Sequence, residues 1–215
     1  MIPYSRPEKK PLFGDSPQPR PTVQARRGPP SGSEHWRTPW AQMKYWSFHP
    51  CIFPAMLGAV SPGAKAGDLV HVYDKEGNPF GAGLYNPRAR VPLRVLYHGQ
   101  ETIGDDYFLQ LIDRALELRL DTPGLPAVTD SFRVIHSDGD GLSGLVVDKF
   151  SDVLSIECNS LGMAQRLPAW LPRLHERLGT QRAVFEVDPR VARLEGLSSK
   201  AIPSDAVRSV RIREH

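Results

Sequence analysis

Between residues 69 and 96 the apolar positions come in short runs. Leu69 to Tyr73, Phe80 to Tyr85 and Val91 to Leu96 are separated by Asp74-Lys75-Glu76-Gly77-Asn78 and by Asn86-Pro87-Arg88, both rich in turn formers. Runs this brief predict strands, and their regular spacing predicts a small antiparallel barrel or sandwich. Order is expected to begin near the aromatic-rich stretch Trp36 to Trp46, followed by His49-Pro50-Cys51-Ile52-Phe53. The period then changes. Phe108, Leu111, Ile112, Ala115 and Leu116 recur every three to four residues, with Asp113, Arg114 and Glu117 between them. That spacing predicts a helix over Asp105 to Leu120, ending before Pro123-Gly124. Residues 122–130, TPGLPAVTD, read as a linker.

A second region opens with FRVIHSDGDGLSGLVVDKFSDVL, Phe132 to Leu154. Gly139, Gly141 and Gly144 satisfy G-x-G-x-x-G, but a nucleotide loop needs a strand before the glycines and a helix after them. Here Phe132 to Ile135 and Leu145 to Val147 are both β-rich, so the stretch predicts a glycine-turned hairpin. A strand over Val153 to Cys158 follows, then a helix over about Leu161 to Leu178 that Pro168 and Pro172 are positioned to kink or break. Ala183 to Val187 and Val207 to Arg213 predict further strands. A turn or short helix carrying Arg190, Arg193 and Glu195 lies between them. The fold class expected is α+β, with too few strands for a complete doubly wound sheet.

Charge changes the picture at one end only. Residues 1–44 hold eight Lys/Arg against three Asp/Glu, and the rest of the chain holds 19 against 21. The first 35 residues are rich in Pro among basic and small polar residues, so disorder is expected there, up to about residue 42. Arg20, Arg26 and Arg27 offer a weak electrostatic contact to nucleic acid. The only cysteines, Cys51 and Cys158, show neither a disulfide framework nor zinc-ligand spacing, which suits a reducing cytoplasm. Cys158 shares a strand face with Leu154 and Ile156 and reads as a small core residue. No apolar run reaches the roughly 18 residues of a membrane span, so no membrane partner is expected.

Two patterns were candidates for chemistry. Asp138 and Asp140 form a D-x-D, but a calcium loop would place Leu142 and Lys149 where oxygen ligands are required. A phosphatase pair would need a further Asp pair and a lysine, so turn formation explains these aspartates better. The histidines are scattered and define no catalytic triad. Arg88, Arg90 and Arg94 are evenly spaced, so on a regular strand they would share one face and could track a phosphate backbone.

Several blocks in order resemble the bacterial 23S ribosomal RNA cytosine-C5 methyltransferase family, S-adenosylmethionine-dependent enzymes that begin with a PUA domain. They are His49-Pro50-Cys51-Ile52-Phe53, with Cys51 where the family usually carries Trp; Gly67-Asp68-Leu69-Val70 with Gly77 and Phe80; Gly83-Leu84-Tyr85-Asn86-Pro87-Arg88; Arg133 to Asp152; Glu195-Gly196-Leu197; and Ile212-Arg213-Glu214-His215. The resemblance covers about residues 43–215. It implies a PUA-like β-barrel at 43–121, the linker, and a central α+β domain at 131–215. It also implies that the family's catalytic domain, with its cofactor site and catalytic cysteine, would follow His215. On this expectation the chain has no catalytic or metal residues and no cofactor of its own, and is inactive alone, S-adenosylmethionine being implied for the full-length family. Its partner is RNA, with Lys44, Arg88, Arg90 and Arg94 as phosphate contacts. The alternative is a free-standing RNA-binding or interaction module. In that case the end at Val207 to His215 would pair with a separate catalytic domain or a second copy of the chain.

Overall fold

A computed structural model describes residues 29–121, 125–198, 202 and 204–213. Ahead of the three short apolar runs lie β1 (Trp40–Met43), β2 (Cys51–Ile52) and β3 (Leu57–Val60), and the runs themselves form β4 (Leu69–Tyr73), β5 (Pro79–Tyr85) and β6 (Leu93–His98). They make one sheet in the order β2-β6-β5-β4-β1-β3. The chain passes from β2 on one edge to β3 on the other through a turn at residues 53–56, in which the Met56 N–H donates to the Phe53 carbonyl at 2.9 Å. Five Cα steps reach about 18 Å at most, whereas the edges of a flat six-stranded sheet stand about 24 Å apart. The sheet must therefore curl towards a barrel. Its interior is filled by Ala41, Met43, Ile52, Leu57, Val70, Val72, Phe80, Tyr85, Leu93 and Val95.

The expected antiparallel order needs one correction, because β1 runs parallel to β4. No hairpin joins these two strands, so no tight turn forces them antiparallel. Strand β1 also begins inside the segment expected to be disordered. Trp36 stacks on Tyr73, with ring centroids 4.2 Å apart, and Ala41 and Met43 fill the barrel, so order starts before residue 42. The rest of that expectation, residues 1–28, falls outside the described residues, as do 122–124 of the linker.

The second sheet has the order β10-β9-β8-β7, built from β7 (Ser131–His136), β8 (Leu145–Phe150), β9 (Val153–Cys158) and β10 (Arg182–Glu186). Between β7 and β8 lies a single 3-10 turn, Ser137–Asp140, closed by Gly141 at φ +72°. The G-x-G-x-x-G is thus a hairpin, as its flanking strands predict. Asp140 accepts two bonds from Arg119, at 2.7 and 2.8 Å, and one from the His136 N–H at 2.6 Å. A carboxylate so occupied serves the fold. Asp140→Ala, which leaves the shielded Arg119 guanidinium unpaired, is expected to cost about 3 kcal/mol in urea denaturation. Asp138→Asn, at an exposed position, should cost less than about 0.5 kcal/mol.

Helix α1 (Asp105–Leu120) forms where the periodicity places it, and α3 (Leu161–Leu178) stays continuous through Pro168 and Pro172. Both prolines lie on its exposed side, where the carbonyls they free can meet water. Phe108 of α1 stacks on Trp170 of α3, centroids 5.4 Å apart. Around this pair the helices and the second sheet bury Leu111, Ile112, Leu116, Ile135, Leu154, Ile156 and Cys158. Burial pushes the Cys158 thiol up to about 12, as a core cysteine requires. Helix α1, grouped from sequence with the first sheet, packs instead on β7, because its apolar face meets that strand's Val134 and Ile135 in one core. Leu84 of β5 also enters that core, so the two sheets share apolar packing.

The single-turn α2 (Leu125–Val128) precedes β7, and α4 (Pro189–Glu195) follows β10. The strand expected at Val207 to Arg213 does not form. Residues 204–213 run without regular structure, anchored at Asp205, which pairs with both backbone groups of Ala183, and at Arg213, which bonds Asp130. Side chains occupy donors that a ladder would have used, and the unfinished strand edge that motivated a pairing partner is absent from the described residues.

Candidate nucleic-acid interface

Where the two sheets meet, a buried polar network joins them. The turn after β5 is built on Asn86, whose Oδ1 accepts from the Arg88 N–H at 3.1 Å. Its Nδ2 donates at 2.9 Å to both the carboxylate and the carbonyl of Glu195, at the end of α4. Glu195 is only 5% exposed, and its carboxylate also accepts from the Leu161 N–H at the start of α3, at 3.2 Å. Burial raises its pKa, against the lowering effect of these bonds and of the Arg94 cation. The folded chain therefore holds this proton more tightly than the unfolded one. Stability from this group is full below the ordinary carboxyl range and is lost as pH rises through the raised folded value. Glu195→Gln should accordingly be more stable than the parent at pH 7, with the difference closing towards pH 4, read from thermal melts across that range.

Arg94 of β6 makes the second bridge. Its Nη1 donates to Ser143 Oγ at 3.1 Å and lies 3.8 Å from Cys51 Sγ, and its Nη2 donates to the Asn159 carbonyl at 3.1 Å. Its Nε is buried with no hydrogen-bond partner among the described residues. Gly144, at φ +87°, lets the hairpin close on this side chain, since a Cβ there would stand 3.4 Å from Arg94 Cζ and 3.0 Å from Ser160 Cβ. Burial pushes the Cys51 thiol up, and the nearby Arg94 cation partly offsets this.

A cleft of about 240 Å³ opens over this network, lined by Arg90, Val91 and Arg94 from the barrel and by Asp188, Arg190 and Leu194 from the α4 side. Asp188 caps α4 by accepting from the Arg190 and Val191 N–H groups at 2.7 and 3.2 Å, which fixes where Arg190 departs. Arg88 reaches towards Gly196 at the end of the same helix. Three guanidinium groups, those of Arg90, Arg94 and Arg190, thus line one opening between the barrel and α4, and such groups match the planar, bidentate geometry of phosphate oxygens. A larger recess of about 350 Å³, near Trp36, Arg37, His71 and Tyr73, is lined by a single arginine, Arg37, with Glu101 beside it.

The sequence singled out Arg88, Arg90 and Arg94 as one strand face. The structure brings all three to the junction by another route, because Arg88 and Arg90 lie in the turn before β6 and only Arg94 is on the strand. Lys44 lies elsewhere, just past β1, three strands from β6. Sequence reasoning missed Asn86, Ser143, Asn159 and Arg190 as members of this site. The Asn86-Pro87-Arg88 and Glu195-Gly196-Leu197 blocks were the available signal. The glycine hairpin does not fit S-adenosylmethionine. No helix follows it, and its Gly141 and Gly144 N–H groups are spent on Asp138 and Ser137. Among the described residues no cluster of three or more His, Cys, Asp or Glu is placed to hold a metal.

Residues 38–98, which include all six strands of the barrel, match the model of a PUA-like domain. The fold is therefore α+β, a PUA-like curled sheet followed by a smaller helix-covered sheet. The chain is 33% identical over 115 residues to Ribosomal RNA large subunit methyltransferase I of Alteromonas mediterranea, covering 53% of this chain and 29% of that protein. It is likewise 33% identical over 134 residues to a Ribosomal RNA large subunit methyltransferase of Deinococcus radiodurans, covering 60% of this chain and 31% of the relative. It is thus homologous to ribosomal RNA large subunit methyltransferases, and spans about three tenths of the length of the curated relatives it matches. A solved structure described as a methyltransferase complexed with SAH shares the fold over 60% of this chain and 34% of its own, at a TM-score of 0.50 and 14% identity.

Proposed function

We propose that this chain is the ribosomal-RNA-recognition portion of an S-adenosylmethionine-dependent methyltransferase that modifies cytosine C5, with methyl transfer carried out by a catalytic unit outside these 215 residues. The observation that carries the reading is the cleft in which Arg90 and Arg94, from the PUA-like barrel, face Arg190 at the start of α4. Guanidinium groups gathered at one opening suit backbone phosphates and the shape of a folded RNA ahead of its base sequence. Arg88, Arg90 and Arg190 contact phosphate. Arg94 holds the cleft floor and adds its charge, and Lys44 makes a separate contact beyond β1. C5 methylation needs a thiolate that adds to the pyrimidine. Cys158 is sealed in the core and Cys51 is held by its neighbours, so neither takes that role. Two free cysteines accord with a reducing cytoplasm.

The test is a filter-binding titration of the full 215-residue chain against a structured fragment of large-subunit ribosomal RNA at increasing salt. Affinity should fall linearly on logarithmic axes, by roughly 0.7 to 0.9 units of slope per phosphate contact. Absence of binding at low salt would overturn the reading.

A further inference from the structure

Three large aromatic side chains on the segment between β1 and β2 are left in solvent: Tyr45, Trp46 and Phe48, exposed by 61%, 57% and 67%. Two of them are held against the barrel. Trp46 and Phe48 pack on Phe80, with centroids 5.2 and 5.6 Å away, and Phe48 also meets His98 at 5.3 Å. Phe80 is the unpaired residue of a β-bulge, since Val72 stands opposite Gly81 and Tyr73 opposite Pro79. The bulge turns its ring to the barrel interior, although Leu84, of the same parity in the strand, joins the other core. Phe80 thus ties the surface group to the barrel. Trp46 stands at 62° and 89° to its two aromatic neighbours, so among the described residues no ring lies parallel against its faces. Partial burial holds the His98 pKa below its ordinary value, which leaves a neutral imidazole beside the rings near pH 7.

We propose that Trp46 and Phe48 form a stacking platform for unpaired bases, so that the RNA this chain recognises carries a single-stranded segment next to the paired part held at the arginine cleft. The inference rests on the RNA-binding reading and deepens it. The charge of the chain segment that carries the rings favours nucleic acid over a protein partner. Between Glu34 and Asp68 the chain has no Asp or Glu, while Arg37, Lys44 and Lys65 are present, and Lys44 directly precedes the aromatic residues. Every base offers a π-face, so stacking needs no sequence match, and a fully paired duplex has no free face to offer.

The experiment compares two RNAs of equal length, a fully paired duplex and a hairpin with a single-stranded tail, bound by the full chain, by Trp46→Ala and by Phe48→Ala. The parent should prefer the tailed RNA. Each variant should lose about tenfold or more on it while keeping its duplex affinity and its melting temperature. Trp46→Phe, which retains a ring, should recover part of the loss. Unchanged affinity for the tailed RNA, or an equal loss on both RNAs, overturns the platform. So does a change confined to self-association in sedimentation, which would make the aromatic group a protein contact. If the parent binds neither RNA, the RNA-recognition reading falls first; if it binds both while the variants match it, only the platform falls.

Discussion

Arg90→Ala combined with Arg190→Ala is expected to weaken binding to structured ribosomal RNA on the order of a hundredfold at moderate salt, and to flatten the salt dependence by roughly 1.5 logarithmic units. Each guanidinium that meets a phosphate makes charge-assisted bonds worth about 1.5 kcal/mol or more, and each lost contact removes about 0.7 to 0.9 from the slope. Both side chains are exposed at the cleft rim and among the described residues neither carries a structural bond through its guanidinium, so the double variant should fold as the parent does. Filter binding across salt concentrations reads both quantities. An affinity loss without a change in slope would mean that these arginines act through shape and not through phosphate neutralisation. No loss at all would remove them from the interface.

Arg94→Ala should show the opposite signature, a loss of stability. Two bonds disappear, and Ser143 Oγ and the Asn159 carbonyl are left at a junction that the hairpin shields from water. Removing a charged donor from such partners costs about 1.5 to 3 kcal/mol, and the shared origin of the two bonds keeps the sum near 3 kcal/mol. For a chain of this size that lowers Tm by roughly 6 to 12 °C. Arg94→Lys should recover only part, because a single ammonium on a flexible stem cannot hold both acceptors in fixed geometry. A second readout separates a local change from general loosening. The Arg94 cation opposes the rise that burial imposes on the Cys51 thiol, so Arg94→Ala should slow modification of Cys51 at fixed pH in the folded protein. General loosening would speed it.

Much of this was legible in the sequence, and the failures have physical reasons. The helix over Asp105 to Leu120 could be read because one apolar stripe is enough to define it. The hairpin at Phe132 to Leu154 could be read because β-rich residues flank its glycines on both sides. The continuity of α3 through two prolines could not, because it depends on which side of the helix faces water. The strand expected at Val207 to Arg213 failed because alternation of apolar residues specifies a strand only if a sheet edge is free to receive it, and Asp205 occupies that edge at Ala183. Arg88, Arg90 and Arg94 were chosen for even spacing on one strand. They meet at the junction for a different reason, the turn built on Asn86.

The sequence by itself determined strands β4 to β6, helix α1 and the turn chemistry of the hairpin, because each is written in spacing between near neighbours, and its motif blocks carried the PUA-like resemblance of the first sheet. Only the tertiary structure decided that α1 belongs with the second sheet, that Asn86 meets Glu195 across 109 positions, and that Arg94 ties the hairpin to the barrel. It alone also decided that Trp46 and Phe48 stand outside the barrel on Phe80. Those outcomes depend on which buried donors find acceptors and which rings run out of interior space, and pairings between distant residues leave no local period in the chain.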